Sequence, residues 1–429
     1  MNGSRLEANA RASTGPGGAA AGRWLAVALL TYLLATTLFI TLVPFRFAWP
    51  GFPRVHWIGG PLDIVANVAL FVPLGFLFRW ARQDAGSVWQ AVVAAVLLSA
   101  AIEAAQLFER VRFASPLDVL ANALGALAGA AGHDRLKGRL RDPSAVVARF
   151  ALDLPLMGLV YLMIPLLWLN AFATWDASPR FATTTLLAAT GAVVLGAVDR
   201  HHFRPAAALA AGTVPLAAAA WFLIGTVPGH AHHPSILGVT AAAVAGAVAL
   251  LGRAAVPSGG ERRYEVDTLR RVTPLFTAYL LGIALWPLVP ELAPATPRPP
   301  RLRAMIATLG TLEYVAAFTL LGYLLAEWRG RLERRMRADL PRVATWSAVA
   351  AAGLEAARHA HPLHDASAIR GGAAATAAVF GAVVYHLQRA HIRNLVEARG
   401  GGTLRDLPGT RERHDIPSIR DSDNEQEDP

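Results

Sequence analysis

Cysteine is absent from this chain of 429 residues, and charged residues make up only 16% of it. Without cysteine, the chain forms no disulfide, has no thiol nucleophile and offers no thiolate ligand to a metal. A soluble domain is charged at about 25% of its positions, so the shortage of charge disfavours a soluble globular enzyme. Common enzyme motifs are also missing: there is no P-loop, no dinucleotide-binding glycine pattern, no nucleophile elbow and no H-E-x-x-H zinc motif.

Apolar residues fill 54% of the chain and are concentrated in long runs. A membrane-spanning helix needs roughly 20 mostly apolar residues. By that length the sequence predicts an all-α polytopic membrane bundle of about 12 transmembrane helices. The predicted segments are 24–43, 61–80, 88–107, 117–132, 153–172, 181–198, 206–225, 234–251, 274–290, 305–326, 343–357 and 366–388.

Basic residues indicate the orientation of these segments. The 40 Lys and Arg residues are all arginine except Lys137. With twelve spans and a cytoplasmic N-terminus, most of them fall in the tails and inner loops, including the runs at 135–141 and 329–342. Cytoplasmic loops carry such an excess, so both ends are predicted to be cytoplasmic. The net charge of +10 then reports topology, and no nucleic-acid partner is expected because no aromatic-interleaved basic patch occurs.

An internal repeat divides the chain. Phe71-Val-Pro-Leu-Gly75 resembles Phe318-Thr-Leu-Leu-Gly322, and residues 103–129 align with residues 355–381 without a gap. Two parallel four-helix repeats are therefore predicted to flank a central four-helix block. The predicted divisions are a disordered N-terminal tail at 1–22, a four-helix membrane domain at 23–135, the central block at 136–272, a degenerate repeat at 273–390 and a disordered C-terminal tail at 391–429.

Polar residues inside the spans are concentrated in the first four-helix unit. Pro61-Leu-Asp-Ile-Val-Ala-Asn67 recurs as Pro116-Leu-Asp-Val-Leu-Ala-Asn122, and the acid and the amide of each copy share one helix face. Ionisable residues within spans usually face a bundle interior or a cavity and indicate function. The predicted topology brings seven polar residues to the outer membrane boundary: Asp63, Asn67, Glu103, Gln106, Arg112, Asp118 and Asn122.

These seven residues are predicted to have different roles. If the protein is an enzyme, Glu103 and Asp118 are the candidate catalytic acid and base, because neighbouring carboxylates in a desolvated site acquire different pKa values. The candidates for ligand binding are Asp63, Asn67, Gln106, Arg112 and Asn122. Arg112 is the candidate contact for an anion. A face of acids, amides and arginine suits a phosphate, sugar or peptide headgroup.

Two structural interpretations remain open for the same residues. Ser115-Pro116-Leu117-Asp118 and Gly60-Pro61-Leu62-Asp63 are typical helix starts, in which the aspartate stabilises the first turn. Glu103 and Arg112 also suit an ion pair that locks two helices together. Capping does not account for the asparagines one turn deeper, nor for an acid near the C-terminal end of a helix.

The polar pattern resembles a known family. The spacing Asp63-x3-Asn67-x3-Phe71-x-Pro73-x-Gly75, followed by Glu103-x2-Gln106-x5-Arg112 and by Asp118-x3-Asn122-x2-Gly125, is similar to the VanZ family of bacterial membrane proteins. The resemblance covers about 24–133 and extends weakly to about 273–388. It implies a four-helix membrane domain in the bacterial inner membrane. The founding member of the family is associated with low-level teicoplanin resistance. The resemblance implies no established reaction.

A weaker pattern, His359-x-His361-x2-His364, lies in the last outer loop. Such spacing suits zinc or copper, although exposed loop histidines are more often solvated. No cofactor is expected.

Three functions follow from these patterns. The first is a VanZ-like protein that engages an envelope or amphipathic ligand at its outer face and modulates envelope properties or glycopeptide resistance. The second is a secondary transporter, which parallel repeats favour and the peripheral position of the polar residues disfavours. The third is a structural or assembly subunit. The expected partners are the lipid bilayer and a lipid-linked or envelope ligand, while the ligand's identity, any reaction and the oligomeric state stay open.

Overall fold

The computed structural model describes residues 16–400, apart from residue 44 and the stretches 50–54, 56–59, 83–86, 110–112, 140–144, 174–180, 203–206, 231–235, 255–263, 287–299 and 331–335. Within the described residues the protein is all-α, with twelve helices, and its only β-type contacts are two isolated bridges between loops. The helices are α1 Pro16–Leu42, α2 Pro61–Arg82, α3 Val88–Leu107, α4 Pro116–Arg139, α5 Ala145–Ala173, α6 Phe181–His202, α7 Ala207–His230, α8 Ile236–Ala254, α9 Tyr264–Leu285, α10 Pro300–Gly330, α11 Met336–Ala360 and α12 Ala368–Gly400.

Each of the twelve predicted segments overlaps one of these helices, although the segment 274–290 covers only the second half of α9, and the two tails differ from expectation. Helix α1 begins at Pro16, so residues 16–22 are helical rather than part of a disordered tail. Proline is tolerated in the first helical turn, and the alanines that follow have the highest helix propensity. Helix α12 likewise continues to Gly400. Residues 1–15 and 401–429 lie outside the described part of the chain.

Seven helices contain stretches that are long and apolar enough to cross a membrane, which makes this a multi-pass membrane protein. The seven stretches are Ala20–Leu42, Pro61–Arg82, Val88–Leu107, Pro155–Phe172, Ala182–Asp199, Met305–Arg329 and Ala368–Asn394. In α7 and α8 the described apolar stretches, Val214–Leu223 and Ala241–Leu251, are too short, and the other three helices carry charged residues among their apolar ones. Helix α9, for example, carries Glu265, Asp267, Arg270 and Arg271 in its first half.

Helix α5 is the centre of the bundle. It packs against α1, α6, α7, α10 and α12, and therefore touches all three parts of the predicted division. Its apolar side chains are sealed from solvent, with Leu156, Met163 and Leu166 at 0% exposure. The first four helices are peripheral by comparison: Trp24 and Trp89 are 61% and 68% exposed. Large exposed apolar side chains suit helices that face lipid.

Helices α2 and α4 lie in backbone contact. A Cβ placed on Gly75 would collide with the main chain of Ala126, and one placed on Gly129 would collide with the carbonyl of Val72. Small residues allow membrane helices to approach this closely. Helices α10 and α12 meet in the same way, since Gly322 lies against the main chain of Ala378. The glycines at these crossings are therefore required by packing.

We expect Gly75→Ala to destabilise the protein by about 1–3 kcal/mol, because the added methyl forces α2 and α4 apart. Gly132→Ala is the matched control: a Cβ at Gly132 in α4 meets nothing within 4 Å, so better helix propensity leaves stability equal or slightly higher. Thermal unfolding of the detergent-purified variants measures both. Equal melting temperatures for the two variants would contradict the close crossing.

Candidate functional site

Two loops meet at the end of the bundle that holds the predicted polar residues. The α1–α2 connection lies across the α3–α4 connection, where Ala48 N donates to the Phe108 carbonyl at 2.7 Å and isolated bridges join Phe47 to Glu109 and Val55 to Ala114. Phe45 has a φ of 59° in this loop, a left-handed conformation that costs a bulky residue energy. We call this end of the bundle the site side.

Glu103 joins α3 to the start of α4. Its Oε2 accepts a hydrogen bond from Ser115 N at 2.6 Å. A carboxylate that accepts from a backbone N–H forms a short, charge-assisted bond, and this one ties the residue before Pro116 to the last turns of α3. This hydrogen bond offsets the unfavourable interaction between the Glu103 carboxylate and the negative end of the helix dipole.

Asp118 is the second carboxylate of the site and stands one turn into α4. The Ser115 side chain and the Asn67 amide are its polar neighbours, so polar side chains of α2 and α4 meet here as well as the glycines. The carboxylate is close enough to Glu103 and to Asp63 for electrostatic repulsion. Asp63 itself stabilises the start of α2, because its Oδ2 accepts from Gly60 N at 3.1 Å. The capping interpretation therefore describes Asp63 and also fits Asp118, which lies in the first turn of α4 beside Ser115 and has Asn67 as a further neighbour.

A deeper polar layer lies below these acids. Asn122 Nδ2 donates to Ser99 Oγ at 2.8 Å, and both residues are buried. Asn122 Oδ1 is buried without a hydrogen-bond partner in the described residues. Gln106 is turned toward α1, where its Nε2 donates to the Thr41 carbonyl at 3.1 Å. Its amide nitrogen thus satisfies a carbonyl at the C-terminal end of α1.

The structure therefore brings six of the seven predicted residues to the site side. The seventh, Arg112, lies outside the described residues. The sequence interpretation missed Glu109, which lies two residues after the end of α3 and is 3% exposed. Neither of its carboxylate oxygens has a hydrogen-bond partner in the described part of the chain. The only sequence signal was an acid close to the C-terminal end of a predicted span.

The second unit repeats the carboxylate contact with one change. Glu355 Oε2 accepts from Ser367 N at 2.8 Å, in the same relation as Glu103 to Ser115. Arg370 donates from Nε to Glu355 Oε1 at 2.8 Å and from Nη2 to Glu355 Oε2 at 2.6 Å. This bidentate ion pair holds a buried carboxylate with its own cation.

A further polar network lies in the protein interior and was also missed. Glu313 Oε1 accepts from Asn170 Nδ2 at 2.7 Å and from Tyr279 Oη at 2.8 Å, and Thr184 donates to Asn170 Oδ1 at 2.8 Å. The network joins α5, α6, α9 and α10, and Glu313 and Asn170 are 0% exposed. A single acid inside a predicted span was the available signal.

The loop histidines only partly come together. The rings of His361 and His364 have centroids 4.7 Å apart, and His359 is exposed. Burial and the nearby Arg358 guanidinium lower the pKa of His364. No group of three potential metal ligands is found among the residues that the structure covers.

Comparison with known proteins identifies part of the chain. Residues 23–134 match the VanZ/LLP1 family. This segment contains α2, α3 and most of α1 and α4, and therefore every residue of the site side described above. No curated protein and no solved structure matches the chain significantly.

We expect Ser99→Ala and Asn122→Ala each to destabilise the protein by about 1–3 kcal/mol, because each leaves a buried polar partner unsatisfied. The double variant is expected to cost less than the sum of the two, by about 1 kcal/mol. The second unit has Ala351 and Ala374 at the positions that align with these two residues. Equilibrium unfolding in detergent measures the cycle, with the exposed Thr345→Ala as control. Additive effects would contradict a direct pair.

Proposed function

We propose that this membrane protein, whose residues 23–134 form a VanZ-like domain, binds the headgroup of an envelope amphiphile on its site side. Binding there modulates envelope properties and susceptibility to glycopeptides of the teicoplanin type. In this proposal the site side faces outward from a bacterial inner membrane, as the distribution of arginine predicts. The two outer units are copies related by a parallel repeat, and the central block joins them.

One observation carries this proposal. Glu103 and Asp118 lie close enough for electrostatic repulsion on two packed helices, and the Ser115 backbone holds Glu103 in place. Like charges at short distance are unfavourable unless a ligand, a proton or a cation compensates them. A fold that only needed stable packing has a simpler alternative in its own second unit, where Ala374 replaces Asn122 and an ion pair replaces the two acids.

The arrangement also suits acid–base chemistry, because two interacting carboxylates divide into a stronger and a weaker acid. Glu103 and Asp118 are the residues that would hold and move such a proton. The observations favour binding over a particular reaction, since they supply carboxylates and amides but no nucleophile activated by a neighbouring base.

We expect Glu103→Gln and Asp118→Asn to abolish the effect of the protein on teicoplanin susceptibility while leaving its abundance in the membrane normal. Each change keeps the size of the side chain and removes its charge, which weakens a charge-assisted contact about tenfold or more. The measurements are immunoblots of membrane fractions and susceptibility of a sensitive bacterial host that expresses each variant.

Asp267→Asn is the matched control, because Asp267 pairs with the exposed Arg270 on α9, far along the chain from the site. Loss of abundance together with loss of the phenotype would favour the structural-subunit interpretation. A wild-type phenotype from both variants at normal abundance would overturn the site.

The Glu313 network favours a second candidate, a secondary transporter. Transporters place polar groups inside the bundle, between helices of different repeats. Glu313 on α10 meets Asn170 on α5, so the network joins the second unit to the central block. The sequence interpretation had disfavoured a transporter because its polar residues were all peripheral, and this network is an interior polar group.

On the binding proposal, we expect proteoliposomes of the wild type and of Glu313→Gln to move protons at the same rate under an imposed pH gradient. Glutamine keeps an acceptor for Tyr279 and Asn170 but cannot carry a proton. Pyranine fluorescence inside the vesicles measures the rate, with empty liposomes as the baseline. A wild-type flux that Glu313→Gln abolishes would establish the transporter instead.

A further inference from the structure

The two four-helix units hold an equivalent carboxylate in an equivalent way. Glu103 accepts from Ser115 N at 2.6 Å, and Glu355 accepts from Ser367 N at 2.8 Å; in both pairs the donor lies twelve positions after the acceptor. The α2–α4 crossing at Gly75 and Ala126 has its counterpart in the α10–α12 crossing at Gly322 and Ala378. The surroundings of one carboxylate can therefore be compared with those of the other.

The decisive difference lies three residues after the serine. In the second unit this position is Arg370, whose guanidinium covers both oxygens of Glu355. A third contact, from Arg370 Nη2 to the Asp365 carbonyl at 2.8 Å, fixes the guanidinium in place. In the first unit the same position is Asp118, which adds a negative charge beside Glu103. One unit thus supplies the cation for its carboxylate, and the other supplies a second anion.

A second observation points the same way. Glu109 is 3% exposed on the site side, and neither of its oxygens has a hydrogen-bond partner in the described residues. Deeper in the site, Asn122 Oδ1 is another buried acceptor without a partner there. Buried acceptors of this kind are costly unless a donor reaches them. Carboxylates and orphan acceptors together call for a ligand that carries positive charge and N–H groups.

Building on the proposed function, we infer that the site of the first unit binds a cationic N–H group, a primary ammonium or a guanidinium, and that Arg370 is the built-in equivalent that closes the second unit. The charge compensates Glu103 and Asp118, and the N–H groups donate to their oxygens as Arg370 donates to Glu355. A quaternary ammonium has the charge but no N–H, so it binds more weakly. An anionic headgroup is repelled.

Native mass spectrometry of the full-length protein in detergent tests this inference. The probes are phosphatidylethanolamine, phosphatidylcholine and phosphatidylglycerol with identical acyl chains. We expect the wild type to retain phosphatidylethanolamine about tenfold better than either of the others, in keeping with the strength of hydrogen bonds between charged groups. Competition with free ethylamine distinguishes a free amine from a lipid headgroup as the ligand. If millimolar ethylamine displaces the lipid, the site recognises the ammonium group alone. If the lipid stays bound, its acyl chains contribute to binding.

The most direct test exchanges Asp118 of the first unit and Arg370 of the second. Asp118→Arg is expected to close the first site and abolish the preference, whereas Arg370→Asp is expected to open the second and add one bound lipid. Asp267→Asn is the control that changes neither. If Asp118→Arg does not fold, the isosteric variants Glu103→Gln and Asp118→Asn test the same site. Each is expected to reduce the retention of phosphatidylethanolamine about tenfold.

The outcomes separate this inference from the proposed function. A Glu103-dependent preference for phosphatidylglycerol would overturn the cationic ligand and leave the binding site in place. No probe bound in a Glu103-dependent way, together with an unchanged susceptibility phenotype, would overturn both. Arg112→Ala tests whether Arg112 is the cation of the first unit, as Arg370 is the cation of the second. Stronger retention of phosphatidylethanolamine in that variant would show that Arg112 occupies the site and would overturn the inference.

Discussion

The close approach of α2 and α4 is the constraint on which the site depends. Because Gly75, Gly125 and Gly129 have no side chains, the backbones of the two helices touch along several turns. The helices run parallel and begin at the same end, so this contact brings their first turns side by side. Asn67 and Asp118 meet for that reason. Larger residues at the glycines would separate the polar groups by more than a hydrogen bond can span.

The helices could be predicted from the sequence because hydropathy is a local property, and every predicted segment overlaps a helix. The polar residues of the first unit could be predicted too, since acids and amides in an apolar sequence are rare. Their partners could not. The bond from Gln106 to Thr41 joins residues 65 positions apart, and no periodicity indicates it. The partners of Glu313 could not be predicted either, because Asn170 and Tyr279 lie on two other helices.

The central block, to which the sequence assigned no role, supplies the core of the bundle. Helix α5 contacts helices of both outer units, and its buried face is formed by large aliphatic residues such as Leu156 and Met163. Tyr323 on α10 donates to the Pro155 carbonyl of α5 at 2.6 Å. This hydrogen bond ties α10 of the second unit to the central helix.

The exposed apolar flank of α1–α4 has a consequence for how a ligand arrives. Val65 of α2 and Leu120 of α4, at 52% and 56% exposure, lie next to the site residues Asn67 and Asp118 along their helices. An amphiphile in the same leaflet reaches this flank by diffusing in two dimensions, without crossing water. Confinement to a leaflet raises its local concentration in the way that a tether does. Weak intrinsic affinity is then sufficient for high occupancy, and occupancy follows the composition of the leaflet rather than the concentration in solution.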